Sequence, residues 1–219
     1  MKMWLFSTFT QGSYLAAATV VTCALASKAH AAPTGFVLDI EMSPATCRLN
    51  PQQNRTRQCL EGYSLSVIGL LPDGVNPRQC ETSNSFYLTP VQKRLLMRIM
   101  PDENAQVRLW RSVGGCVEMN ASQYFRTMVT YADSLNIPSE VTTPNTIRVY
   151  RDGLQRRFMQ LNPNMPAQSV QFSCQNQRNG TPVLTQVRVC YNAGGRYQAC
   201  RVERMSNSCG AQMVVQGSY

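Results

Sequence analysis

Eight of the nine cysteines in this 219-residue chain stand between residues 47 and 209, as Cys47, Cys59, Cys80, Cys116, Cys174, Cys190, Cys200 and Cys209. An even set of this size implies a disulfide framework, provided that the chain leaves the reducing cytosol. The N-terminus meets that condition. Lys2 precedes an apolar run from Tyr14 to Ala26 and then Ala29-His30-Ala31, the pattern of a secretory signal peptide with an A-x-A cleavage site. The run is shorter than the ~20 residues that a membrane-spanning helix needs. Residues 1–31 are therefore expected to be removed with the ninth cysteine, Cys23. Residues 32–219 would remain as one domain, starting at Ala32, in the periplasm or secreted. Cys23 follows Val-Val-Thr, without the small residue that precedes a lipid-modified cysteine, which disfavours a lipoprotein.

Removing the leader also removes His30, the one histidine of the chain. Chemistry that needs an imidazole as acid, base, nucleophile or metal ligand is thereby excluded from the mature protein. Zinc is disfavoured further, because no C-x-x-C pair occurs, and nothing in the sequence implies a cofactor. Residues 32–219 carry 18 arginines and Lys93 against 12 acidic residues, a net charge of +7. Guanidinium groups suit bidentate phosphate contacts and stacking on bases, so a polyanion is a candidate partner. The alternative is a solvated surface of mixed charge, since the arginines are scattered and no run exceeds Arg156-Arg157.

No repeat or long linker divides the chain. Phe36 to Met42 alternates as a strand, Arg48 to Glu61 reads as a polar loop, and Gly62 to Leu71 reads as a second strand stopped by Pro72-Asp73-Gly74. Thr89 caps a helix that begins at Pro90, with Val91, Leu95, Leu96, Ile99 and Met100 as its apolar stripe. Asn120 to Leu135 is a second helix with Tyr124, Phe125, Met128, Val129 and Leu135 inward, and Thr146 to Leu161 a third. Strands return at Ser169–Cys174, Pro182–Cys190 and Arg196–Val202. The order is α+β: strands, a helical middle, then a returning sheet.

Phe36-Val-Leu-Asp-Ile-Glu-Met-Ser-Pro-Ala-Thr-Cys47 resembles the opening strand F-x-L-x-x-x-W-S-P-x-x-C of the ribonuclease T2 family, with Met42 in place of tryptophan. Ile68-Gly69-Leu70-Leu71-Pro72 resembles that family's first catalytic motif, H-G-L-W-P, and Trp110-Arg-Ser-Val-Gly-Gly-Cys116 its second, E-W-x-K-H-G-T-C. Leu88-Thr-Pro, Gln123-Tyr124-Phe125 and the cysteine spacing agree, in order, over nearly all of residues 32–219, with more of the bacterial-type branch than of any other. The resemblance implies a central antiparallel sheet with helices, and disulfides Cys47–Cys59, Cys80–Cys116, Cys174–Cys209 and Cys190–Cys200.

In that family two histidines share proton transfer at the ribose 2′-hydroxyl and the leaving 5′-oxygen, assisted by a glutamate and a lysine. Those four positions are occupied here by Ile68, Leu109, Ser112 and Val113. The resemblance therefore implies a catalytically silent member that acts by binding single-stranded RNA, another polyanion or a protein docked on the remodelled cleft. Arg108, Trp110 and Arg111 are the candidate RNA or phosphate contacts. The rival expectation is an active endoribonuclease using other groups, such as Glu103 or Glu118 paired with an arginine; nothing in the spacing recommends that pair, and arginine cannot serve as a general base near neutral pH.

Overall fold

The computed structural model describes residues 32–178, 180–201 and 209–218. The expected signal peptide lies outside them. Twelve elements follow: β1 Gly35–Met42, α1 Ser43–Leu49, α2 Arg57–Leu60, β2 Leu65–Asp73, α3 Pro90–Met97, α4 Glu103–Val113, α5 Ala121–Ser134, β3 Ile147–Tyr150, α6 Arg151–Leu161, β4 Val170–Asn176, β5 Pro182–Asn192 and β6 Gln212–Val215. No described helix is long and apolar enough to cross a membrane.

The strands form one six-stranded sheet in the order β2-β1-β5-β6-β3, with β4 paired to β5. The pairings are antiparallel, as a central antiparallel sheet implies, apart from a single parallel contact of β5 with β6 between Val183 and Val214. Alternation along β1 sorts the two faces. Phe36, Leu38, Ile40 and Met42 are buried in the main apolar core with Leu70, Val187, Val189 and the inward residues of α5 and α6. The opposite face carries Val37, Asp39 and Glu41.

The alternating and capped segments fold as the sequence indicates. Thr89 and Asn120 each close a capping box, with Gln92 and Gln123, at the starts of α3 and α5. All four disulfides join the implied partners, with Cα–Cα separations of 4.7–5.7 Å that suit the bond.

Several expectations are corrected. Ile147–Tyr150 is a strand rather than the first turn of a helix, because its β-branched and aromatic residues pair with β6. The loop from Arg48 to Glu61 holds the end of α1 and all of α2. Val91 and Leu95 are exposed, since α3 buries only Leu96. Of Arg196–Val202, Tyr197 forms an isolated bridge to Tyr191, and Val202 lies outside the described residues.

Candidate ligand-binding cleft

The two motif segments meet at the edge of the sheet. β2 is the edge strand, and the register of β1 against it slips between Asp39 and Ile40, opposite Gly69 and Val67. Ile68 is thus the extra residue of a β-bulge, a device that re-aims a side chain. The outer edge of β2 is closed by side chain and loop. The Tyr124 hydroxyl donates to the Leu70 carbonyl at 2.7 Å and accepts from the Leu70 N–H at 3.3 Å, while the Val67 N–H donates to the Ile99 carbonyl at 2.7 Å. Burial raises the Tyr124 pKa further above that of an ordinary phenol, so this clamp stays protonated.

α4 supplies the other wall. Asp102 caps it by accepting from the Asn104 and Ala105 N–H groups, and the buried Gln106 side chain donates to the Met100 carbonyl. Leu109, Trp110 and Val113 then face inward, while Arg108, Arg111 and Ser112 face out. The helix ends where two glycines permit close approach: a Cβ on Gly115 would lie 2.6 Å from the Glu81 carbonyl oxygen, and one on Gly114 would press on Trp110 and Thr82. Across this contact Gly115 N–H donates to the Cys80 carbonyl, Thr82 N–H to the Arg111 carbonyl, and Cys80 bridges to Cys116. Gly114 and Cys116, retained from the second motif, and Gly115, which stands at its threonine position, therefore form a structural splice.

The four replaced positions lie in these two segments, one on the bulge of β2 and three in the last two turns of α4. Leu109 and Val113 are 8% and 4% exposed, and Ile68 is half-buried. A Cβ on Gly69, next to Ile68, would lie 3.4 Å from Leu109, which places the two segments in contact. Ser112 is exposed, and its hydroxyl donates to the Leu109 carbonyl one turn back.

Trp110 is corrected as an RNA contact. It is 1% exposed, its indole N–H donates to the Asn84 carbonyl at 3.0 Å, and its ring lies 5.8 Å from that of Tyr124, so no face is left for a base. Arg108 and Arg111 do come together, in an open groove with Glu81, Thr82, Ser83 and Ser112. Arg108 also lies 3.5 Å from Asp102. Glu103 and Glu118 are exposed and line neither this groove nor the cleft beside it.

That second cleft, of about 430 Å3, lies on the other side of Ser112. Val37, Leu71, Pro72, Val75, Pro77 and Val113 line it, with Arg188, Arg201 and Asp73 as its charged members. Neither arginine was identifiable from the motifs. Arg188 is brought in by β5, where it is paired in register with Asp39 on β1, and its Nε lies 3.2 Å from the Asp39 carboxylate. Among the described residues no group of acids and cysteines could hold a metal ion.

Behind the cleft, Asp39 and Glu41 form a buried acidic pair, signalled in the sequence by two carboxylates inside an apolar strand. Burial raises both pKa values, against the opposing charge and hydrogen bond of Arg188 at Asp39 and against hydrogen bonds from Gln58, Thr46 and Ser66 at Glu41, where Asp39 adds its own repulsion. Asp39 Oδ1 and Glu41 Oε1 are buried without a hydrogen-bond partner among the described residues. A carboxyl with a raised folded pKa costs stability once it ionises. Stability should therefore decline as pH climbs above the ordinary values of 3.8 and 4.5 and through the raised folded ones. Glu41→Gln should raise stability at neutral pH by about 1 kcal/mol, or about 2–4 °C in Tm, and flatten that decline. Asp39→Asn should gain less than Glu41→Gln, because the charge and hydrogen bond of Arg188 offset part of the burial cost at Asp39 and are lost with the carboxylate. Thermal melts of both variants across the pH range check this order.

No protein-family model and no curated protein matches this sequence. Solved structures are similar in fold. Ribonuclease MC1 from bitter gourd seeds is 17% identical, with a TM-score of 0.63 over 82% of this chain and 98% of its own. The RNase-related protein from Calystegia sepium is 17% identical, with a TM-score of 0.62 over 85% and 98%. Japanese pear S3-RNase is 17% identical, with a TM-score of 0.59 over 84% and 99%. The architecture is thus that of the T2 ribonucleases, an α+β sheet and helices braced here by four disulfides.

Proposed function

We propose that this chain, folded as the T2 ribonucleases are, is a one-domain exported protein without ribonuclease chemistry that binds single-stranded RNA or a similar polyanion through Arg108 and Arg111. One observation carries the reading. The residues at the family's two proton-transfer positions are Ile68 and Val113, and Leu109 stands at the assisting glutamate's; Leu109 and Val113 are buried in the core, while the arginines one turn away stay exposed on a shared groove. Solved neighbours support a nucleotide-like ligand, for a mutant of RNase MC1 was crystallised with 5′-UMP and RNase NT with 5′-AMP. Four disulfides suit an oxidising compartment, and with the leader-like N-terminus they favour the periplasm or the exterior.

Backbone phosphate contacts carry no base information, so affinity for an RNA oligomer should be modest and nearly independent of sequence. It should fall with salt at a log–log slope of about −0.7 per neutralised phosphate, giving roughly −2 to −3 for three or four contacts. Arg108→Ala combined with Arg111→Ala should flatten the slope by about 1.4. Fluorescence anisotropy over a salt series tests this. A slope that the double substitution leaves unchanged, or an interaction indifferent to salt, would remove RNA from this groove and favour a protein partner.

A further inference from the structure

The apolar cleft between β2 and the end of α4 has no role in phosphate binding through Arg108 and Arg111, which lie in the neighbouring groove. Its size is that of a small-molecule site, and its walls are apolar with a few polar groups at fixed places. The walls are also stiff. Pro72 and Pro77 lock two backbone positions, and Cys80 is tied to Cys116. Leu71, on the first motif, is 38% exposed, an apolar side chain left open to the solvent where the rest of its strand is covered.

Two guanidiniums, Arg188 and Arg201, line this cleft with one carboxylate, Asp73, while a second carboxylate, Asp39, lies behind Arg188 and pairs with it. Arg188 is held in place by Asp39 through Nε and by the Gln186 side-chain carbonyl through Nη2. Arg201 Nε lies 3.4 Å from the buried Asp73 carboxylate, and its own side chain is about half exposed. A guanidinium has five donors in a planar fork, so each arginine has the capacity to bind a second carboxylate after its first.

We infer that this cleft binds a small amphipathic anion, with an apolar body against Val37, Leu71, Val75 and Val113 and one carboxylate head at Arg188 and Arg201. Val113, which stands at one of the family's histidine positions, forms part of the wall for that body. A cationic amphiphile meets two like charges, and a neutral one forgoes the charged hydrogen bonds that fix the head.

Decanoate below its micellar concentration is the probe, titrated into the full protein by calorimetry, with decanol and decyltrimethylammonium as controls. Decanoate should bind with one-to-one stoichiometry and raise Tm, and both controls should bind at least about tenfold more weakly. Arg201→Gln, on an exposed side chain, should weaken decanoate about tenfold, and Leu71→Asp should abolish saturable binding. Melts in the absence of ligand establish that each variant folds. Arg108→Ala with Arg111→Ala should leave decanoate binding unchanged, which separates this site from the RNA groove. Absent or multi-site binding of decanoate, equal affinity for decanol, or indifference to both cleft substitutions would overturn the assignment.

Discussion

Single-stranded RNA incubated with the purified protein should be cleaved no faster than in its absence, from about pH 4 to about pH 8. Losing one general acid or base typically removes ~10²–10⁴ in rate, and here two such positions and both of their helpers are changed together. The residues around the two openings support this expectation. Leu109 and Val113 point into the core, and the acids that line the two openings are Asp73, ion-paired to Arg201, and Glu81 on the groove of Arg108 and Arg111. Arginine stays protonated throughout that range and can neutralise a phosphate but cannot accept a proton from a 2′-hydroxyl. Product analysis after exhaustive removal of contaminating nucleases is the measurement. Turnover that persists, and that disappears in Glu81→Gln or Asp73→Asn, would show that the chain has rebuilt a ribonuclease site from other groups.

Much of this architecture is legible in the sequence because local signals agree with the tertiary fold. β1 alternates, the Thr89 and Asn120 caps announce α3 and α5, and the cysteine order matches a known framework. α4 was not legible, and its physics explains why. Its inward face is Gln106, Leu109, Trp110 and Val113, a helical spacing of three and four whose first member is polar. Gln106 is buried only because a carbonyl outside the helix, that of Met100, receives its amide, a partner that no periodicity reveals. Ile147 and Tyr150, three apart and in phase with Leu154 and Phe158, fit the start of a helical stripe, while Ile147 and Val149 alternate as a strand, and pairing with β6, more than sixty residues later, decides between them.

The candidate sites divide in the same way. Motif positions located Ile68, Leu109, Ser112 and Val113 and the arginines beside them, because these are local in sequence. Arg188 and Arg201 reach the cleft through strand pairing and the chain that follows β5, far along the sequence from both motifs, and no spacing rule links them to Leu71 or Val113. Asp39 did carry a signal: an acid within an apolar strand requires a partner, and Arg188 is that partner. Exposure was the property that sequence could not assign. Trp110 and Arg111 are adjacent, yet one is core and the other surface, since α4 turns by about 100° per residue.

That difference gives the second large effect. Trp110→Ala should destabilise the protein by about 3–5 kcal/mol, because it leaves a cavity where the indole packs on Tyr124 and beneath Gly114. The loss should include about 1 kcal/mol for the Asn84 carbonyl, which loses its indole donor. Trp110→Phe keeps an aromatic body and should cost less, about 1–2 kcal/mol. Denaturant midpoints with the disulfides intact measure both. The decisive comparison is with RNA affinity for Trp110→Phe under conditions where it is fully folded. A packing residue leaves affinity and salt slope as they were, whereas a base-stacking residue would lose affinity without losing stability. Weaker RNA binding at unchanged stability would mean that α4 opens on binding and presents Trp110 to the nucleic acid, and the groove of Arg108 and Arg111 would then be one wall of a larger site.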